Sequence, residues 1–219
     1  MSSSPGVLDG DEYRIKIELE KGCSLQLQTQ SYQRLFSMKK KAFQHVEVFM
    51  DDRATFSFLP HPTVPHRDSN FAAVNKIYMS NGCTLTWGEV LTCGRKLNGE
   101  LFCFSSYHNR SEIFLAGRLV VKENLLIEPL VADVSAIGQL EGYSHQASLI
   151  HVDASTDIKA MIADIRELLL AQENICSGIS ALQVNGVVIR LLGFKAEQLY
   201  NCLMAIGQLL AMKKNRVII

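Results

Sequence analysis

"GCTLTW", Gly82 to Trp87, is the third appearance of one phrase. "GCSLQL" (Gly22 to Leu27) and "RATFSF" (Arg53 to Phe58) share its pattern: a small residue, then Ser or Thr, then apolar, polar, apolar. The copies start 31 residues apart (22 to 53) and then 29 (53 to 82). Each follows a turn signal, Lys21-Gly22, Asp51-Asp52 or Asn81-Gly82. Asn-Gly is the strongest of these, because both of its positions accept positive φ in a two-residue hairpin. Ahead of each turn stands another alternating run, at residues 13–19, 45–50 and 75–79. In the first, Tyr13, Ile15, Ile17 and Leu19 alternate with charged residues, which gives one buried face and one wet face.

The pattern predicts stacked β-hairpins, one roughly every 30 residues, layered because a lone hairpin cannot bury its apolar face. Three antiparallel hairpins that resemble each other by chance are the plainer alternative, and the N-terminal two thirds is β-rich under both. After the strand "ASLIHV" the period changes. Ile158, Met161, Ile162, Ile165, Leu168 and Leu169 recur at helical spacing, with Asp157 or Thr156 as the expected cap. "SALQVNGVVIRLLG" is expected to form a hairpin around Asn185-Gly186. A second helix follows, with Leu199, Leu203, Ile206 and Leu210 on one face and Lys213, Lys214 and Arg216 near its negative end. The expected fold is mainly β (α+β): a two-layer strand array with two C-terminal helices. Residues 1–146 form the β-rich hairpin array, and residues 147–219 a strand-helix-hairpin-helix portion packed into the same domain.

Lys+Arg and Asp+Glu number 22 each, so no net positive field recruits nucleic acid or an acidic membrane. Lys39-Lys40-Lys41 is the nearest thing to a basic run and reads as a solvated turn. No secretory signal follows Met1, and no apolar run reaches the roughly 18 residues that a bilayer span needs. The expected location is the cytoplasm, where the six cysteines, none in a C-x-x-C pair, are buried thiols rather than disulfides. The phosphate-binding loop, the zinc-protease motif, the nucleophile elbow and the dinucleotide fingerprint are all missing. No enzyme is indicated.

Two loops carry polar side chains in suggestive order. "LPHPTVPHRDSNF" (Leu59 to Phe71) holds three of the five prolines with His61, His66 and Asp68, ligand types that suit nickel or zinc. Pro60, Pro62 and Pro65 also remove three backbone donors and fix φ, as a connection leaving a sheet edge requires. The second loop, "CGRKLNGELF" (Cys93 to Phe102), brackets Arg95 between Gly94 and Gly99 and ends at Glu100. It reads as a shaped connection whose Arg and Glu either pair or line a polar passage.

Five blocks, "SPGVLDGD", "LQTQSYQRLF", "FLPHPTVPHRDSNF", "LTCGRKLNGELF" and "GVVIRLLG", resemble in order and spacing the urease accessory protein D family, called H in some bacteria. The resemblance covers the chain from about Ser4 to the last helix. It implies a β-rich two-layer fold with two late helices, and a chaperone or scaffold for nickel insertion into urease. The implied partners are the apo-urease subunits and a UreF-type accessory protein, which in turn holds a UreG-type GTPase. The implied cargo is nickel in transit through an internal polar channel, with no tightly bound cofactor. Gly94, Arg95, Gly99 and Glu100 match the family's GR-then-GE positions, and Gly10 and Asp11 its early Gly-Asp. Pro60, Pro62, Pro65, Asp68 and Ser69 match the proline loop.

Asp11, Asp68 and Glu100, with Arg95, are the residues expected to face the channel or a partner, and Asp68 and His66 are expected to touch nickel transiently. The family's opening block has a second Gly where this chain has Val7, and family members carry further strands before it. Either this member is short by nature or its start is lost, and strands missing there would expose a sheet edge. Two alternatives stand beside this reading: a β-scaffold that keeps the fold without the urease role, and a metal-dependent enzyme using His61, His66 and Asp68.

Overall fold

The computed structural model describes residues 6–216, apart from the side chains of 213–216. Ser4 and Pro5 of the opening block, and the side chains of Lys213, Lys214 and Arg216, lie outside the described residues. Eight strands precede the second loop: β1 (Glu12–Leu19), β2 (Ser24–Leu27), β3 (Gln33–Leu35), β4 (Ala42–Met50), β5 (Thr55–Phe58), β6 (Thr63–Pro65), β7 (Asn70–Met79) and β8 (Thr84–Leu91). β9 (Ser106–Leu115), β10 (Arg118–Ile127) and β11 (His145–Asp153) follow, then α1 (Ile158–Leu170), β12 (Cys176–Ala181), β13 (Gly186–Gly193) and α2 (Ala196–Arg216). The mainly β α+β class and the two late helices are as the sequence indicates.

The pairing corrects the hairpin expectation. The two strands of each repeat lie in different sheets, and each pairs in parallel with the matching strand of the next repeat. One sheet runs β1-β4-β7-β9-β10, and the other runs β12-β13-β11-β8-β5-β2. Their registers equal the sequence repeat. Glu12 faces Phe43 and Ser24 faces Thr55, both 31 residues on, while Ala42 faces Phe71 and Thr55 faces Thr84, both 29 on. The physical reason lies in the turns. Each has one left-handed residue at the equivalent place, Gly22 (φ 71°), Arg53 (φ 59°) and Gly82 (φ 69°), whereas a two-residue hairpin turn of the first primed type needs two. One such residue swings the chain across to the facing sheet. The turns stack, since the Gly22 N–H donates to Asp52 O (2.9 Å) and the Arg53 N–H to Asn81 O (3.1 Å). Where two left-handed residues do adjoin, at Ala116 (φ 47°) and Gly117 (φ 78°), the chain makes the antiparallel hairpin β9–β10.

Alternation decides what each sheet presents. Val46, Val48, Ile77, Met79 and Ile113 of the first sheet meet Phe56, Leu85, Trp87, Ile150 and Val152 of the second in one buried cluster. On the outer face of the first sheet Phe49, Tyr78 and Phe114 stack across neighbouring strands at 4.9 and 5.0 Å. β11 pairs with β8 and with β13, so the second sheet continues unbroken into the C-terminal portion. β12 and β13 form the expected hairpin.

Both helices cover the outer face of the second sheet. Asp157 caps α1, accepting from the Lys159 and Ala160 N–H groups. Met161, Ile165 and Leu169 of α1 and Leu199, Leu203, Ile206 and Leu210 of α2 pack on Leu149, Val187, Ile189 and Leu191. Burying each such side chain contributes about 1.5–3 kcal/mol.

Candidate functional site

The two polar loops meet. Leu59, at the start of the proline loop, is seated between two glycines. A Cβ at Gly88 of β8 or at Gly207 of α2 would come within 2.6 Å of its methyl groups. His61 is fixed next to it. Its backbone N–H donates to Thr29 Oγ1 (2.8 Å), its Nδ1 lies 3.1 Å from the same oxygen, and its ring stacks on Tyr200 of α2 at 4.5 Å. His66 lies on the other side of β6, buried against the edge of Phe36 (4.9 Å). Burial and the nearby Arg95 guanidinium push its pKa down. The two histidines thus have different neighbours. Among the described residues no three His, Cys, Asp or Glu side chains are grouped to hold a metal ion.

Glu100 joins the loops. Its carboxylate receives Arg95 Nε at 2.9 Å and Nη2 at 2.5 Å, and accepts the Arg67 backbone N–H at 3.2 Å. These charge-assisted bonds, the Arg95 pair first, hold its pKa down at about 2, although partial burial opposes them. Glu100 is therefore a fixed anion, unsuited to acid–base work. Gly94 (φ 113°) permits the approach, because a Cβ there would stand 2.9 Å from Pro65 O and 3.1 Å from Glu100 O. Gly99 (φ 78°) ends the short turn at Lys96–Asn98.

Asp68, in a left-handed conformation (φ 60°), is exposed on the same loop and donates its N–H to Cys103 O (3.0 Å). Ser69 is fully buried and its hydroxyl has no hydrogen-bond partner. Asp11 belongs to a separate turn with Gly10 (φ 77°), where its carboxylate accepts the Leu8 N–H (2.8 Å) and the Tyr13 hydroxyl (3.1 Å). So the structure brings Arg95, Glu100, Arg67 and His66 together, leaves the Asp68 residue in solvent, and places Asp11 in a turn of its own.

A second set of residues, which match no motif, lies between the sheets. Two apolar clusters fill that space, one around Ile77, Leu85 and Ile113, the other around Phe71, Leu91 and Tyr107. A polar layer divides them. Asn75 Nδ2 donates to Asn109 Oδ1 (2.8 Å) and Ser111 Oγ (3.0 Å); Asn109 Nδ2 donates to Glu89 Oε2, and Ser148 Oγ to Glu89 Oε1 (3.4 Å). Burial raises the Glu89 pKa to about 7, with the nearby Glu123 adding to the shift. Glu123 in turn pairs with Arg190 (2.7 Å), whose side chain reaches solvent. Tyr107, held by a hydrogen bond with Thr63 of the proline loop, has its pKa raised by burial and by Glu89. It stands between that loop and the polar layer. The sequence does carry a signal for this layer: Asn75, Glu89, Asn109 and Ser111 occupy inward positions of strands whose other inward residues are apolar.

A family model described as UreD urease accessory protein matches residues 1–217. A protein of Flavobacterium johnsoniae named urease accessory protein UreD is 47% identical over 202 residues, which is 92% of this chain and 73% of that one. One of the same name from Acetivibrio thermocellus is 35% identical, over 96% of this chain and 80% of the relative. Another, from Actinobacillus pleuropneumoniae, is 33% identical over 99% and 82%.

Proposed function

The chain belongs to the UreD family of urease accessory proteins, and from that premise we propose that it is a maturation scaffold through which nickel passes to urease. It is an accessory protein rather than an enzyme. In this role it bridges the apo-urease subunits and a UreF-type accessory protein, and through that partner a UreG-type GTPase, in the cytoplasm. All six cysteines are free, which fits a reducing compartment, although only Cys83, Cys93 and Cys202 are the buried thiols expected, Cys103 being partly buried and Cys23 and Cys176 exposed. Among the described residues no helix is long and apolar enough to cross a membrane.

The polar layer between the sheets is the observation that carries this reading. Buried amides and a carboxylate cost stability unless paired, and apolar residues there would join the two clusters into one. Asn75, Asn109, Ser111 and Glu89 offer sparse oxygen atoms at the middle of the core. Sparse hard ligands suit a cation in passage, since a closed tetrahedral cage would retain it. The Ser69 hydroxyl and the Asn70 side-chain oxygen, buried without partners near the proline loop, extend the same chemistry outward. Glu100, bound by Arg95, shapes the loops and is not a ligand.

The test uses the whole chain co-expressed with urease and its other accessory proteins. Glu89→Gln, which keeps the shape, and Asn109→Leu, which blocks the layer, are expected to lower nickel per urease active site while the accessory complex still co-elutes. Full nickel loading in both variants would remove the passage from the proposal.

A further inference from the structure

Residues 128–144 join β10 to β11 by a loop longer than the roughly 12–15 residues that most connections stay under. Its own backbone closes it into successive turns. The Val131 N–H donates to Glu128 O (2.8 Å), the Leu140 N–H to Val134 O (3.0 Å) and the Tyr143 N–H to Leu140 O (2.8 Å). Asp133 fixes one corner, accepting the Ser135 N–H (2.9 Å) and hydroxyl (2.7 Å). The apolar side chains divide by face. Leu140 is buried, Val134 packs against the cluster of Phe71, Phe104 and Tyr107, and Tyr143 lies against Phe194. Leu130, Val131 and Ile137 turn out to solvent and are 89%, 80% and 96% exposed. Apolar side chains scattered singly over a surface are ordinary, whereas three displayed by one ordered loop mark a contact site.

We infer that this loop is a docking element for a partner protein whose contact surface is an apolar pocket rimmed by Lys or Arg. Charge selects the occupant. Residues 128–144 contain Glu128, Asp133 and Glu141 and no Lys or Arg, so every charge that accompanies the apolar tips is negative. A basic rim is attracted to that set, while an anionic lipid surface or an acidic protein is repelled. Two copies of this chain joined loop to loop would likewise set like charges together. Position supports the same reading. Tyr107, in the cluster that Val134 packs against, also bonds to Thr63 of the proline loop. The docked partner therefore lies at the end of the molecule where the polar layer approaches that loop. The inference rests on the scaffold reading in one respect: the partner is sought among urease and its other accessory proteins.

The test uses the full chain with urease and its other accessory proteins, co-expressed and separated by size exclusion over a concentration series. Leu130→Ser combined with Ile137→Ser alters only outward side chains. It should weaken the complex about tenfold or more, with the melting temperature of the chain itself unchanged. Whichever protein leaves the peak is the partner. Leu130→Met with Ile137→Leu keeps the apolar contact and should leave binding intact. Glu128→Lys should weaken binding as well, and added salt should narrow its gap to the wild type. A Ser double variant bound as tightly as the wild type would overturn the inference and leave the scaffold reading standing. So would tighter binding by Glu128→Lys, or light scattering that shows a dimer of the chain alone dissolved by the Ser double change. A wild-type chain that joins no complex would remove both.

Discussion

Glu89 of β8 and Asn109 of β9 are hydrogen-bonded across the space between the two sheets, where apolar side chains flank them on both sides. The donors are directed toward the carboxylate: Asn75 gives to Asn109, and Asn109 to Glu89. That pair sets the first prediction. With its pKa raised from 4.5 to about 7, Glu89 penalises the folded state above pH 7. As pH falls from 7 to 4.5 the folded state takes up a proton that the unfolded chain does not, so stability through this group rises. Glu89→Gln removes the charge. The variant should be more stable than the wild type at pH 8 by on the order of 1–3 kcal/mol, with the difference gone near pH 4.5. Urea unfolding at both pH values measures it, and a constant offset between the two proteins would refute the assignment.

Glu100 has the opposite sign. Its pKa is lowered to about 2 by Arg95, so its contribution is present above about pH 4.5 and is lost as pH falls toward 2. Glu100→Gln should cost roughly 1–2 kcal/mol at neutral pH, because charge-assisted bonds are lost from a buried group. The two unfolding curves should approach each other in acid, and a cost that persists unchanged at pH 2.5 would mean that shape rather than charge is what Glu100 supplies.

Gly94 and Gly99 frame the same loop and should respond differently. Both have positive φ, but a Cβ at Gly99 meets nothing within 4 Å, while one at Gly94 meets two backbone oxygens. Gly99→Ala should cost about 1 kcal/mol through backbone strain alone. Gly94→Ala should cost about 3 kcal/mol or more, since it also separates Pro65 from Glu100. Thermal melts of the two variants side by side decide the point; equal shifts would deny the close approach.

Arg53 fills the left-handed corner that Gly22 and Gly82 fill in the neighbouring turns. Arg53→Gly should therefore raise stability by roughly 0.5–1 kcal/mol, because the strain relieved exceeds the added freedom of the unfolded chain. A fall in melting temperature would mean that the Arg53 side chain contributes more than its backbone costs.

The repeat was legible because "LQL", "FSF" and "LTW" alternate with a fixed spacing, and that spacing became the ladder register. Strand direction was misread. Inward apolar residues are required whether a turn keeps the chain within one sheet or carries it to the facing one, so alternation cannot separate the two. Arg53 was the available clue, since it suits poorly a turn that needs two left-handed residues. The helices were legible from spacing alone, α1 from Met161, Ile165 and Leu169 and α2 from Leu199, Leu203, Ile206 and Leu210. Within the site, Arg95 and Glu100 are five residues apart and suggest a pair, whereas the Arg67 N–H that also reaches Glu100 comes from 33 residues earlier. The polar layer was missed because Asn75, Glu89 and Asn109 come from three strands and match no motif.

The parallel register also governs the order in which the chain can fold as it is made. The first two turns of the array wait for partners 31 and then 29 residues downstream, and β7 waits for β9, 36 residues on; closing loops of that size has an entropy cost that a local hairpin avoids. The local hairpins β9–β10 and β12–β13 emerge late from the ribosome, when the first turns have already been waiting with bare edges. The strand β4 that faces β1 begins to emerge only when synthesis passes Phe43, the residue opposite Glu12, and is complete only at Met50, opposite Leu19.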